Sequence, residues 1–279
     1  MNLVYEKLEQ CYKSVREKID FIPKIGLVLG SGLGELADEI NIVATLKYSD
    51  IEGFPTSTVA GHKGRFVFGY IENVPVVIMQ GRVHFYEGYP MSDVVLPTRL
   101  MKMMGIEILI LTNAAGGVNL DFTPGDFMLI TDQIASFVPS PLIGENIEQL
   151  GTRFPDMSQI YNKELNTIIR QEATKLNIAL KEGIYVQFSG PAYESKAEVI
   201  MSRILGGDAV GMSTTCEAVA ANHMGLKVCG ISCISNMACG ITEEPLSHVE
   251  VQEVADRVSV SFKELIKKSV ISIGMSETR

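Results

Sequence analysis

The chain has 279 residues, 46% hydrophobic and 20% charged, with 24 Lys and Arg against 33 Asp and Glu for a net charge of −9. That length and balance support a folded core without disulfides or a structural metal, and exclude a disordered or low-complexity protein. The acidic balance, with no basic block, argues against a nucleic-acid partner, whose backbone is held by neutralising many phosphates.

Residues 1–20 mix charged and apolar positions, unlike a signal or transit peptide. No apolar run reaches the roughly 18–20 residues of a membrane span, so a cytoplasmic protein without a membrane partner is expected. The five cysteines, Cys11, Cys216, Cys229, Cys233 and Cys239, read as reduced thiols. Cys229 and Cys233 have no companion ligand at zinc spacing, and no metal site is expected.

In chain order, Val4, Leu8, Cys11, Val15 and Ile19 make one helical stripe. Ile25 to Leu29 reads as a buried strand running into glycines. Phe66–Ile71 and Val74–Met79 flank Glu72-Asn73 as a hairpin. Asp93–Met104 reads as a helix, and Ile106–Leu111 as a strand stopping at Thr112. Phe127–Ile134 is a further strand. The irregular stretch from about Ala135 to Ser158 is too long for a passive connection and reads as a functional loop. Lys163–Leu176 is helical, Gly183–Ser189 a strand, Lys196–Leu205 a helix. Asp208–Gly211 is a short strand before a helix holding Glu217 to His223. Lys227–Ser235 is a strand, and Val251, Val254, Ala255, Val258, Phe262, Leu265 and Ile266 line a last helix. With no repeat or linker, the alternation predicts one α/β domain over residues 1–279, with ligands bound outside the strand ends.

Six motifs sit at those ends. Gly30-Ser31-Gly32-Leu33-Gly34 can turn tightly and offer N–H groups to an anion, or be a plain turn. It is neither a dinucleotide fingerprint, since Glu35 stands where glycine is needed, nor a P-loop. In Gln80 to Pro90 an extended chain would point Arg82, His84 and Tyr86 the same way, suiting an oxyanion; the alternative is a solvated edge. His84 with Glu87 lacks a third metal ligand. Thr112 to Gly117 is small enough for a ligand to approach the backbone, or is simply a tight turn. Ser189 to Glu194 sets Tyr193 beside Glu194, a flat ring and an acceptor, as a base with an N–H edge requires; the alternative is a core tyrosine and a solvated glutamate. Ser213, after Gly211-Met212, either joins an anion site or caps a helix. Asn236 among small residues is a ligand group or a turn former. His62, His223 and His248, taken singly, read as structural or surface residues.

Together, and in this order, these motifs with Gly61-His62-Lys63-Gly64 and Arg153-Phe154-Pro155-Asp156-Met157-Ser158 closely resemble the trimeric, low-molecular-mass purine nucleoside phosphorylases, from about Ile25 to Leu265. The resemblance implies a nucleoside phosphorylase-type mixed β-sheet flanked by helices, a homotrimer, and reversible phosphorolysis of purine nucleosides without cofactor, inorganic phosphate being the co-substrate. It implies phosphate binding by Ser31, Arg82, His84, the Ala114 backbone and Ser213, with His62 near the phosphate entrance. Tyr86 and Met212 would meet the ribose, His248 its 5′-hydroxyl, and Phe154 the sugar in a neighbouring subunit's site. Tyr193 would stack near the base, Glu194 accept from purine N1–H, and Asn236 bridge N7 and O6. His84, Glu194 and Asn236 are the expected catalytic residues.

Asn236 with Glu194 points to inosine and guanosine with their 2′-deoxy forms. The competing enzyme is 5′-methylthioadenosine phosphorylase, which carries Asp at the Asn position. An NAD-dependent oxidoreductase lacks its glycine at position 35. A non-catalytic nucleoside-binding protein would not need both the phosphate-side and base-side residues.

Overall fold

The computed structural model describes residues 2–30, 32–59, 63–242 and 248–276, without the side chains of His248 and Glu250. Helix α1 (Leu3–Arg16) starts where Asn2 accepts a hydrogen bond from Val4 N, and buries Leu8, Cys11 and Val15. Strand β1 (Ile25–Val28) is wholly buried. Strand β2 (Asn41–Lys47) precedes the hairpin of β3 (Arg65–Ile71) and β4 (Val74–Gln80). The expected single helix over 93–104 is two, α2 (Met91–Val94) and α3 (Leu96–Met104). Pro97 explains the break: lacking an N–H, it is tolerated in a first turn but not in a helix interior.

Strand β5 (Ile108–Gly117) does not stop at Thr112 but carries the whole small-residue motif. Then come β6 (Phe127–Ile134), α4 (Lys163–Lys175), β7 (Lys181–Gln187), α5 (Lys196–Ile204), β8 (Ala209–Gly211), α6 (Thr215–His223), β9 (Lys227–Met237) and α7 (His248–Ser276). Between β6 and α4, residues 135–162 contain neither helix nor strand.

Among the described residues, nine strands form one mixed sheet in the order β2-β3-β4-β1-β5-β8-β7-β6-β9. Strand β9 also pairs along β5, so β5, β8, β7, β6 and β9 close into a ring. The period-2 alternation sorts the core onto two faces. Val28, Val77, Met79, Leu109 and Leu111 pack on one side with Leu8 of α1, Leu100 of α3 and Ala218 of α6. Ile25, Leu27, Val76, Ile78, Ile108 and Ile110 pack on the other with Leu165 of α4 and Phe262, Leu265 and Ile266 of α7. Covered on both faces, parallel β4-β1-β5-β9 read as apolar runs, and their carboxyl ends emerge together. Among the described residues no helix is long and apolar enough to cross a membrane.

Candidate functional site

A cavity of about 510 Å³ opens at those strand ends. Leu29 and Gly30 line it after β1, Arg82, His84 and Tyr86 after β4, and Asn113 to Gly116 within β5. Tyr193 and Glu194 follow β7, Met212 and Ser213 follow β8, and Ser235 and Asn236 belong to β9. Gly30 could not be larger: a Cβ there would meet Asn113 Cα at 2.6 Å.

Polar groups on one side suit an oxyanion. Arg82 is 3% exposed; its Nη1 donates to Thr112 O at 3.0 Å and Ser213 Oγ at 3.1 Å. Its Nε faces the buried Glu217 carboxylate at 2.9 Å. Ser213 does not cap α6. Thr214 does, in a reciprocal box with Glu217, which leaves the Ser213 hydroxyl on Arg82. Thr214 has φ 84° and ψ −55°, and Thr215 N donates to Ser213 O at 3.0 Å, a γ-turn. Such a backbone costs on the order of 1–3 kcal/mol and survives only where neighbours over-determine it. Here Asn113 Nδ2 holds Thr214 Oγ1 at 2.9 Å, and Glu217 Oε2 accepts from Thr214 N at 3.0 Å.

The strand ends at Gln80, so Arg82, His84 and Tyr86 do not converge by strand alternation. A turn with Gly81 at φ 114° and a short 3-10 helix (Phe85–Glu87) bring them to the cavity. The His84 and Tyr86 rings stack at 4.7 Å. Burial lowers the His84 pKa; the Glu87 hydrogen bond opposes this and the Arg82 charge adds to it, and the net shift favours the neutral ring. Burial pushes the Glu87 carboxyl up, but hydrogen bonds from His84 and Thr58 outweigh it and bring it to about 2. An ionised Glu87 3.2 Å from Nδ1 keeps the imidazole proton there and leaves Nε2 as acceptor.

The opposite side suits a heterocycle. Glu194 is 6% exposed, and its Oε1 has no hydrogen-bond partner among the described residues. Burial raises its pKa, with Glu198 adding to the rise and a backbone hydrogen bond opposing it. Tyr193 is 43% exposed, so the aromatic lies open and the acid is enclosed. The β5–β9 register slips between Ala115↔Ile234 and Gly116↔Asn236, making Ser235 an extra residue. At this bulge, which bends the strand locally, consecutive Ser235 and Asn236 both line the cavity. Asn236 Nδ2 donates to Met237 O at 3.0 Å, and Ser235 Oγ donates to Oδ1 at 2.9 Å. A carbonyl only accepts, so the amide is fixed with its NH2 toward Met237 O.

A family model for the phosphorylase superfamily matches residues 24–271. Purine nucleoside phosphorylase 1 of Bacillus subtilis is 52% identical over 265 residues, 95% of this chain and 98% of that protein. Its Geobacillus stearothermophilus counterpart is 51% identical, over 94% of this chain and 96% of that one. The chain belongs to the purine nucleoside phosphorylase family. A solved Schistosoma mansoni purine nucleoside phosphorylase in complex with inosine superposes with a TM-score of 0.90 at 34% identity, covering 95% of each chain.

Of the residues expected in a purine nucleoside phosphorylase site, Arg82, His84, Tyr86, Ala114, Tyr193, Glu194, Met212, Ser213 and Asn236 all line the one cavity. Phe154 does not; it is 85% exposed, on the long loop, with Arg153 over its ring. Ser31, His62 and the His248 side chain lie outside the described residues. Sequence reasoning did not single out Thr112, Asn113, Glu217 or Ser235 for the roles they take. For Glu217 the signal was present: Thr214-x-x-Glu217 is the capping-box spacing, which reads as a helix start and hides the contact with Arg82.

Proposed function

We infer that the cavity holds a nucleoside sugar between inorganic phosphate on the Arg82 and Ser213 side and a purine on the Glu194 and Asn236 side. The reaction is reversible phosphorolysis, giving free purine and pentose 1-phosphate. One observation carries the reading: a buried oxyanion cradle and a buried carboxylate with an open acceptor share a single cavity.

Breaking the glycosidic bond builds positive charge on the sugar and negative charge on the departing base. Phosphate held beneath the sugar offsets the first, with neutral His84 Nε2 accepting from a protonated phosphate oxygen. The Asn236 Nδ2 hydrogen that Met237 O does not take would bridge N7 and O6 and offset the second, as fixed dipoles aimed at developing charge do. Glu194 accepts from N1–H, which favours 6-oxopurines such as inosine and guanosine and their 2′-deoxy forms. Tyr86 and Met212 would contact the sugar, Ala114 N and Ser31 the phosphate, His62 its entrance and His248 the 5′-hydroxyl. Binding both reactants in one cavity supplies the proximity contribution.

No metal or organic cofactor enters this scheme; phosphate is a co-substrate. The family resemblance supports a cytoplasmic homotrimer in which Phe154 reaches a neighbour's site, in keeping with that residue's 85% exposure. The test is inosine with and without phosphate. Hypoxanthine should form only with phosphate, 5′-methylthioadenosine should be cleaved more slowly, and Arg82→Ala should abolish phosphate-dependent turnover. Hypoxanthine release without phosphate would make the enzyme a hydrolase and overturn the reading.

A further inference from the structure

Beside the anion cradle lies a buried carboxylate that the scheme above does not use. Glu217 is 2% exposed, in the first turn of α6. Its two oxygens lie 2.9 and 3.1 Å from Arg82 Nε, and the nearer one, Oε2, also accepts from Thr214 N at 3.0 Å. Arg82 is thus held directly, and Ser213 through the residue bonded to it.

On charge alone this is the wrong residue for the place. A carboxylate on the arginine offsets its charge and repels an incoming anion. A neutral side chain would leave a stronger attraction. Geometry supplies the compensation. A guanidinium with five donors can settle in many ways, and Glu217 on Nε fixes its plane while Nη1 meets Thr112 O and Ser213 Oγ. The γ-turn at Thr214, which directs Ser213, is held by the same carboxylate and by Asn113.

We propose that Glu217 is a positioning residue for the oxyanion: one carboxylate pre-orients both Arg82 and Ser213, and the orientation outweighs the repulsion it adds. This rests on the phosphate reading of that half of the cavity.

The test compares the wild type, Glu217→Ala, Glu217→Gln and Arg82→Ala. KM is measured separately for phosphate and inosine, and melting is followed with inorganic phosphate alone. Losing a charge-assisted hydrogen-bond pair should raise the phosphate KM roughly tenfold or more in Glu217→Ala. Glu217→Gln keeps the size and one acceptor but opposes an N–H to a donor, so its phosphate KM should rise less. The inosine KM should stay within about threefold, and the stabilisation by phosphate should shrink in the same order. A mere counter-charge predicts the opposite sign, a lower phosphate KM in both. A phosphate KM at or below wild type in either folded variant overturns the proposal, and Glu217→Gln decides should Glu217→Ala fail to fold. If the wild type cleaves inosine without phosphate, or Arg82→Ala leaves the phosphate KM unmoved, the phosphate reading itself fails and the assignment of Glu217 falls with it.

Discussion

Glu194 shows how one side chain serves function against stability. Its carboxyl is enclosed with one oxygen unmatched, and burial raises its pKa. A folded pKa above the unfolded one means the native chain holds the proton more tightly. Stability from this group is therefore fully present below the ordinary carboxylate range and declines as pH rises through the raised value. Glu194→Gln should melt higher than the wild type at pH 8, with the gap closing in acid. Its kcat/KM for inosine should fall roughly 10- to 100-fold, the size of a lost charged hydrogen bond. Melting curves across pH and initial rates check both; a variant that melts lower at pH 8 contradicts the account. Glu194 was singled out through the family resemblance, since an acid beside an aromatic at a strand end reads equally well as a core ring and a solvated carboxylate. Asn236 was singled out in the same way, but the reason both it and Ser235 face the cavity was not legible. A bulge is a property of pairing between two distant strands, and neither strand's own residues announce it.

At the scale of elements, alternation of apolar runs and helical stripes made most of the fold readable. Strand β2 was not readable: six of its seven residues are exposed or half-exposed, so it has no buried face to pattern. The far half of β5 was hidden by the reverse effect, whereas β9 was read to within two residues of its end. Small residues such as Asn113 to Gly117 look like a turn, and only the partner strand makes them a strand. Element ends near and far from the cavity should respond differently. Asn162 caps α4 by accepting from Glu164 N and Leu165 N, far from the cavity lining. Asn162→Ala should cost about 1 kcal/mol and lower the melting temperature by roughly 2–4 °C, leaving kcat/KM unchanged. At Gly211, the last residue of β8, a Cβ would lie 2.2 Å from the Tyr185 hydroxyl oxygen. Gly211→Ala should therefore displace Met212 and Ser213, lowering stability and phosphate affinity together. Thermal melts paired with phosphate KM values separate the two cases.

For the whole molecule, a net charge of −9 gives a field that repels phosphate at long range, so binding rests on local donors. Subunit exchange tests whether the site is complete within one chain. If Phe154 roofs a neighbour's sugar, Phe154→Ala should raise the nucleoside KM and leave the phosphate KM alone. Mixing Phe154→Ala subunits with Glu194→Gln subunits, after reversible dissociation, should regain activity. A hybrid then contains cavities with an intact Glu194 roofed by an intact Phe154. Absence of any recovery in mixed assemblies of confirmed composition counts against a shared site.

The closed ring has a consequence for how the molecule comes apart. Strands β5, β8, β7, β6 and β9 give one another no free margin, whereas β2 ends the sheet with Ile42 41% and Val43 55% exposed. Deuterium should accordingly enter β2 first and the β5–β9 seam last, so fraying starts at the rim farthest from the ring while the reaction chamber stays shut.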